Sequence, residues 1–208
     1  KVAELLNASP SEIFFTSGGT EADNTALVCS VETHGITHAI SSPIEHHAVL
    51  HTLEVLEKKG KIKLSLLDVD LKGKVDYSQL QDLLQKNPGS LISLMHANNE
   101  IGNLNDLQKI GELAKEFGAF FHSDTVQTMG HYVHDLQNLS IDFLVGAAHK
   151  FHGPKGVGFL YVNAENKIHP FIPGGAQERN MRGGTENVYG IVGLAKALEL
   201  AYEGMAAH

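Results

Sequence analysis

Short apolar runs alternate with longer amphipathic stretches along almost the whole chain. Ile13-Phe14-Phe15, His38-Ala39-Ile40-Ser41, Lys63-Leu64-Ser65-Leu66-Leu67, Leu91-Ile92-Ser93-Leu94-Met95, Ala119-Phe120-Phe121-His122, Asp142-Phe143-Leu144-Val145 and Val157-Gly158-Phe159-Leu160-Tyr161-Val162 have the length and composition of strands. Between them, apolar positions recur at helical spacing over 21–33, 48–59, 77–86 and 107–117, and again from Val188 through Ala201. Asn87-Pro88-Gly89 and Gly118 stop two of these helices. The alternation predicts an α/β fold, a mostly parallel but mixed sheet with helices on both faces in three α/β/α layers. Ligands of such sheets bind beyond the carboxyl ends of strands. The polar motifs of this chain fall there: after Phe15, after Met95, after Phe121 and after Val145.

No fixed-period repeat or internal linker interrupts the pattern, which predicts one domain over 1–208. Lys1-Val2-Ala3-Glu4-Leu5-Leu6 reads as the tail of a helix, and helical periodicity still runs at Met205-Ala206-Ala207-His208. Both ends therefore read as cuts, and the chain as a fragment of a longer protein.

Composition narrows the possible chemistry. With 16 basic and 24 acidic residues, the formal net charge of -8 argues against nucleic acid and anionic membrane as partners. A single cysteine, Cys29, excludes an intrachain disulfide and suits a reducing compartment such as the cytoplasm. No apolar run approaches the roughly 20 residues of a membrane span. The histidines are plentiful, 13 in all, but His46, His47, His149 and His152 follow no zinc-ligand spacing, and no metal is expected.

The motifs point to a cofactor. Ser17-Gly18-Gly19-Thr20 joins a strand to a helix; it reads as a phosphate cradle, or as an ordinary capped helix start. Asp124 follows a strand and can hold a pyridinium nitrogen, or cap a helix, and Gln127 stands within reach of the same ring. Lys150 follows the strand ending at Val145, one crossover beyond Asp124, and can form a Schiff base; Lys155 competes for that role from between Pro154 and Gly156. An amine for a Schiff base and a carboxylate for a ring nitrogen are what a protein needs to use pyridoxal phosphate (PLP). His46 can stack on such a ring, and Asn99 can donate to its edge. Arg179, Arg182 and Thr185 sit in a glycine-containing loop that can meet an anion or cap the last helix with Thr185 or Asn187.

Taken in order, Ser17-Gly18-Gly19-Thr20-Glu21-Ala22-Asp23-Asn24, Asn98-Asn99-Glu100-Ile101-Gly102, His149-Lys150 with Gly153-Pro154-Lys155-Gly156, and Met181-Arg182-Gly183-Gly184-Thr185-Glu186-Asn187 resemble the cysteine desulfurase family of class V, fold type I PLP enzymes. The resemblance implies the PLP-binding large domain, without the N-terminal segment and the small C-terminal domain. It implies Lys150 as the Schiff-base lysine, Asp124 at the pyridine nitrogen, Gln127 and Asn99 on the 3-hydroxyl side, and His46 stacked on the ring. Gly19, Thr20 and His149 would bind phosphate, and Thr185 would reach the phosphate of a partner subunit, so that a homodimer shares its sites.

By the same resemblance, the reaction converts L-cysteine to L-alanine and passes sulfur as a persulfide to an acceptor such as an iron–sulfur scaffold. Ala147 replaces a serine that contacts phosphate in the family, a loss of about 1 kcal/mol. Cys29 matches no family nucleophile and reads as a small buried residue, so the chain alone is not expected to complete the reaction. A selenocysteine lyase, another class V aminotransferase and a non-catalytic relic or scaffold are the competing readings.

Overall fold

Which face each apolar side chain takes decides the layers of this fold. The computed structural model describes residues 1–205, so Ala206 to His208, where helical periodicity was still expected, lie outside it. Its strands are β1 (Ile13–Thr16), β2 (His38–Ser41), β3 (Lys63–Leu66), β4 (Leu91–Ser93), β5 (Phe120–Asp124), β6 (Phe143–Ala147) and β7 (Gly158–Val162). The helices are α1 (Val2–Leu5), α2 (Gly19–His34), α3 (His47–Lys58), α4 (Tyr77–Lys86), α5 (Leu107–Glu116), the single turn α6 (Gln177–Asn180) and α7 (Val188–Met205).

The strands form one sheet in the order β1-β7-β6-β5-β4-β2-β3. Its centre, β6 through β3, is parallel, and β7 runs antiparallel to both β1 and β6. Because side chains alternate across a sheet, neighbours on one strand enter different cores. Ile40, Ile92, Phe121, Leu144, Phe159 and Tyr161 pack with α1, α4, α5 and α7. Ala39, Leu91, Phe143, Val145 and Leu160 face α2 and α3. The three-layer mixed α/β fold expected from the sequence is the fold observed.

Local chemistry sets the helix ends. Asp76 caps α4 by accepting from the Ser78 and Gln79 N–H groups, and Asp106 caps α5 through Lys109. Asn187 accepts from the Gly190 N–H at the start of α7. The strands that depart from expectation do so at the site end. β4 ends at Ser93 rather than Met95, because the Met95 N–H is taken by both carboxylate oxygens of Glu45, at 3.0 and 3.1 Å. β5 and β6 instead run on to Asp124 and Ala147. At β5 the apolar signal stops early, since its last three residues, His122, Ser123 and Asp124, are buried polar groups.

Edge strand β1 is covered by side chains rather than by another strand. Glu178 accepts from the Phe15 N–H at 2.9 Å, and Arg179 donates to the Ile13 carbonyl at 2.6 Å. Glu178, Arg179 and Asn180 all have positive φ, and these contacts hold the turn in that sparsely populated conformation.

The loop into α2 crosses β7 where neither backbone has a side chain. A Cβ on Gly158 would lie 2.7 Å from the Gly146 carbonyl oxygen and 2.8 Å from Gly18 Cα. Both obstacles are backbone, so no rotamer change relieves them. Gly158→Ala is expected to destabilise the chain by about 1–3 kcal/mol in urea unfolding, and an unchanged unfolding midpoint would show that the two segments are not held this close.

Candidate active site

The carboxyl ends of β1, β2, β4, β5 and β6 all lie at one end of the sheet, and the loops leaving them surround a cavity of about 230 Å³. Gly19, Thr20, His46, Asn99, Asp124, Gln127, His149 and Lys150 all line it. Eight of the nine site residues picked from the sequence thus come together. The ninth, Thr185, lines a separate cavity beside Phe15, Gly156 and Arg182. Lys155 is exposed and lies outside the cavity that Lys150 borders, so the two candidate lysines are separated by position.

One end of the cavity is the start of α2. Its N-cap is Gly18, and no side chain caps it. Ser17 is turned away, giving its N–H and hydroxyl to Glu21. The first N–H groups of this 16-residue helix therefore remain available beside the cavity, with the positive end of the helix dipole behind them. Gly19 has to be small, since a Cβ there would come within 2.9 Å of Val126 Cγ2. Arg182, a candidate for an anion, is instead engaged by Glu21 through Nε at 2.9 Å and Nη2 at 3.1 Å. Arg179 lies over the Phe14 ring and serves β1.

The other end is carboxylic. Asp124, the last residue of β5, accepts from the Val126 N–H at 2.9 Å through Oδ1. A turn follows rather than a helix, so Asp124 is no helix cap. Burial pushes its pKa up, opposed by that N–H and by the nearby His46 and Lys150. His46 is the N-cap of α3, its Nδ1 accepting from the Ala48 N–H at 3.1 Å, which places the proton of the neutral ring on Nε2. Lys150 stands exposed at the rim, on a 3-10 turn spanning Ala148–Phe151.

Sequence reasoning missed two more acids here. Asp23 lines the cavity and is 1% exposed. Burial, then Asp124 and Glu45, raise its pKa well above the usual carboxylate range. Glu45 is also buried, and its pKa is pushed up to about 8, chiefly by burial. The signal was present in the sequence: Asp23 follows Gly19 and Thr20 at helical spacing, on the face that carries the small core residues Ala22 and Ala26. Cys29, as expected, is fully buried in α2, and burial pushes its thiol up to about 12.

A glycine-started helix, a strand-end aspartate and a rim lysine around one cavity form a recognisable set, and the model of the aminotransferase class-V family matches residues 1–208. The chain belongs to that family. Relatives within it include a protein named cysteine desulfurase IscS from Dictyoglomus turgidum, 49% identical over 204 residues, which cover 97% of this chain and 51% of that protein. Another of that name, from Clostridium botulinum, is 48% identical over 207 residues, covering 99% of this chain and 52% of the relative. The chain thus spans about half the length of these curated relatives.

Among solved structures, a NifS-like protein superposes with a TM-score of 0.94 at 42% identity, over 99% of this chain and 57% of that one. A structure titled SspA in complex with cysteine gives a TM-score of 0.89 at 38% identity, over 95% and 58%. Among the described residues of this class-V chain, no helix is long and apolar enough to cross a membrane.

The buried acids leave a signature in stability. Glu45 binds its proton more tightly when folded, with a pKa of about 8 against 4.5, so the folded state holds more protons between those values. Its contribution to stability therefore falls as pH rises through that window. Wild type should lose stability relative to Glu45→Gln between pH 5 and pH 8 in urea unfolding, and a difference that does not change with pH would contradict the burial of Glu45.

Proposed function

We propose that this chain is the PLP-binding large domain of a cysteine desulfurase. The observation that carries the reading is one cavity with an uncapped helix N-terminus at one end, a buried carboxylate at the other and a single lysine at its rim. Class-V aminotransferases are PLP-dependent, and the donor set here suits that cofactor. Free N–H groups and a helix dipole fit a phosphate dianion. Asp124, with Oδ1 already occupied, offers its other oxygen to a protonated pyridine nitrogen. Lys150 Nζ is the amine available to the cofactor's carbonyl carbon.

In this reading Gly19, Thr20 and His149 hold the phosphate. Asn99 and Gln127 meet the 3-hydroxyl side, and His46 packs on the ring face. Ala147 presents a methyl group to the cavity where a hydroxyl would add one more phosphate bond. When bound, PLP supplies an electron sink for the bond to be broken. Lys150 moves the proton at Cα of L-cysteine, and Asp124 keeps the pyridine nitrogen protonated. Sulfur then passes as a persulfide to a thiolate and on to an acceptor such as an iron–sulfur scaffold protein, leaving L-alanine.

Cys29 is unsuited to be that thiolate, because it is enclosed in the core and its thiol is held protonated. Thr185, in its separate cavity, would serve the phosphate of a partner subunit in a homodimer. The cytoplasm, a reducing compartment, suits both the free thiol and persulfide traffic. Support for cysteine as substrate comes from the names of the relatives and from the cysteine complex of the SspA structure.

Borohydride reduction in the presence of PLP, followed by peptide mass spectrometry, tests the assignment of the lysine. The label is expected on Lys150 and should vanish in Lys150→Ala. A label on Lys155, or on no lysine, would overturn the reading.

A further inference from the structure

Behind the cavity, three buried polar side chains form a line that the proposed cofactor contacts leave unexplained. His122 on β5 and Ser93 on β4 are cross-strand neighbours, with Ser93 Oγ 2.8 Å from His122 Nδ1. The other ring nitrogen, Nε2, lies 3.3 Å from Asp23 Oδ1, a close contact outside hydrogen-bond geometry, and neither of these buried atoms has a hydrogen-bond partner among the described residues. Two residues further along β5, on the same face, stands Asp124; the nearest donor atoms of Asp23, Asp124 and His46 all lie within 4.8 Å of one another.

Hydrogen-bond accounting orders the protons along this line. Ser93 is fully buried, and His122 Nδ1 is the partner its hydroxyl has among the described residues, so the hydroxyl donates there. His122 is then the Nε2–H tautomer, with that N–H on the side of the ring that lies 3.3 Å from Asp23 Oδ1. The ring stays neutral, since burial lowers its pKa to about 3, so the contact is a neutral pair rather than a salt bridge. A second buried carboxyl, Asp124, has an oxygen within 4.8 Å of one of Asp23. Two carboxylates this close and this dry do not both ionise. The Lys150 ammonium acts to lower the pKa of Asp124, whereas on Asp23 the neighbouring Asp124 and Glu45 add to the effect of burial.

We propose that Asp23 is a positioning residue that stays uncharged: lying against the His122 ring, it turns its proton toward Asp124, which carries the single negative charge beside this part of the cavity. A cationic ring docking there meets one carboxylate, held in place and kept ionised by its neighbour. The second half of this statement rests on the PLP reading; the protonation of Asp23 does not.

Two measurements on the chain test the two halves separately. In the first, aspartate carboxyl carbons are labelled with ¹³C and followed by NMR in the cofactor-free protein. At pH 7 one resonance should keep the shift of a protonated acid and disappear in Asp23→Asn. Should that variant fail to fold, the resonance is assigned through bonds in wild type. An Asp23 signal that titrates in the ordinary carboxylate range overturns the proposal.

In the second, PLP affinity is measured against pH. Asp23→Leu removes the donor, so binding should weaken about tenfold. Its acid limb should also move to higher pH, because Asp124 then ionises less readily, and Asp23→Asn, which keeps a donor, should restore both. An Asp23→Leu protein that binds like wild type, or an Asp23→Asn protein as weak as Asp23→Leu, overturns the proposal. If Asp124→Asn binds PLP as well as wild type, the ring-nitrogen assignment fails instead, and the NMR result still decides the state of Asp23.

Discussion

Three carboxyl groups, Asp23, Glu45 and Asp124, are withdrawn from water at the carboxyl end of one sheet, and the site is organised around keeping them there. A buried carboxylate without a cation is strongly unfavourable, so each must be protonated, hydrogen-bonded or paired. Glu45 accepts the Met95 N–H and the Ser42 hydroxyl, and in doing so ends β4 and starts the loop that carries Asn99. Asp124 takes the Val126 N–H and has Lys150 as its cationic neighbour. Asp23 has only a 3.3 Å contact with the neutral His122 ring, and burial favours its protonated form. Placement of the loops and placement of charge are thus one problem, solved by the same hydrogen bonds.

Glycine makes the opposite end possible. Gly18 and Gly158 let the loop into α2 lie directly on β7, and Gly19 lets the helix start against Val126. The helix begins uncapped, with its first N–H groups beside the cavity that Asp124 also lines. A ligand with an anionic group at one end and a protonated ring nitrogen at the other matches this polarity. A single anion or a single cation would match only half of it.

Much of this was legible in the sequence because strand and helix periodicity is strong wherever the buried residues are apolar. The sheet and its flanking helices followed from runs such as Leu91-Ile92, and the eight convergent site residues from the Gly19, Asp124 and Lys150 motifs together with the family resemblance, which alone supplied His149. What escaped was polar and buried. His122, Ser123 and Asp124 extend β5 without an apolar signal, and Asp23 sits inside a helix where an acid ordinarily means a solvated face. The pairing of Arg182 with Glu21 was likewise invisible, since it joins residues far apart in the sequence across the edge of β1. Hydrophobic pattern reports where water is excluded; it does not report which polar groups are excluded with it.

A crystal structure of the chain grown with PLP decides whether the helix start and Asp124 receive opposite ends of the cofactor. The phosphate is expected on the Gly19 and Thr20 N–H groups, the pyridine nitrogen at Asp124, and density continuous from the cofactor to Lys150. Density for the cofactor in another cavity, or a ring turned so that its nitrogen faces away from Asp124, would contradict it.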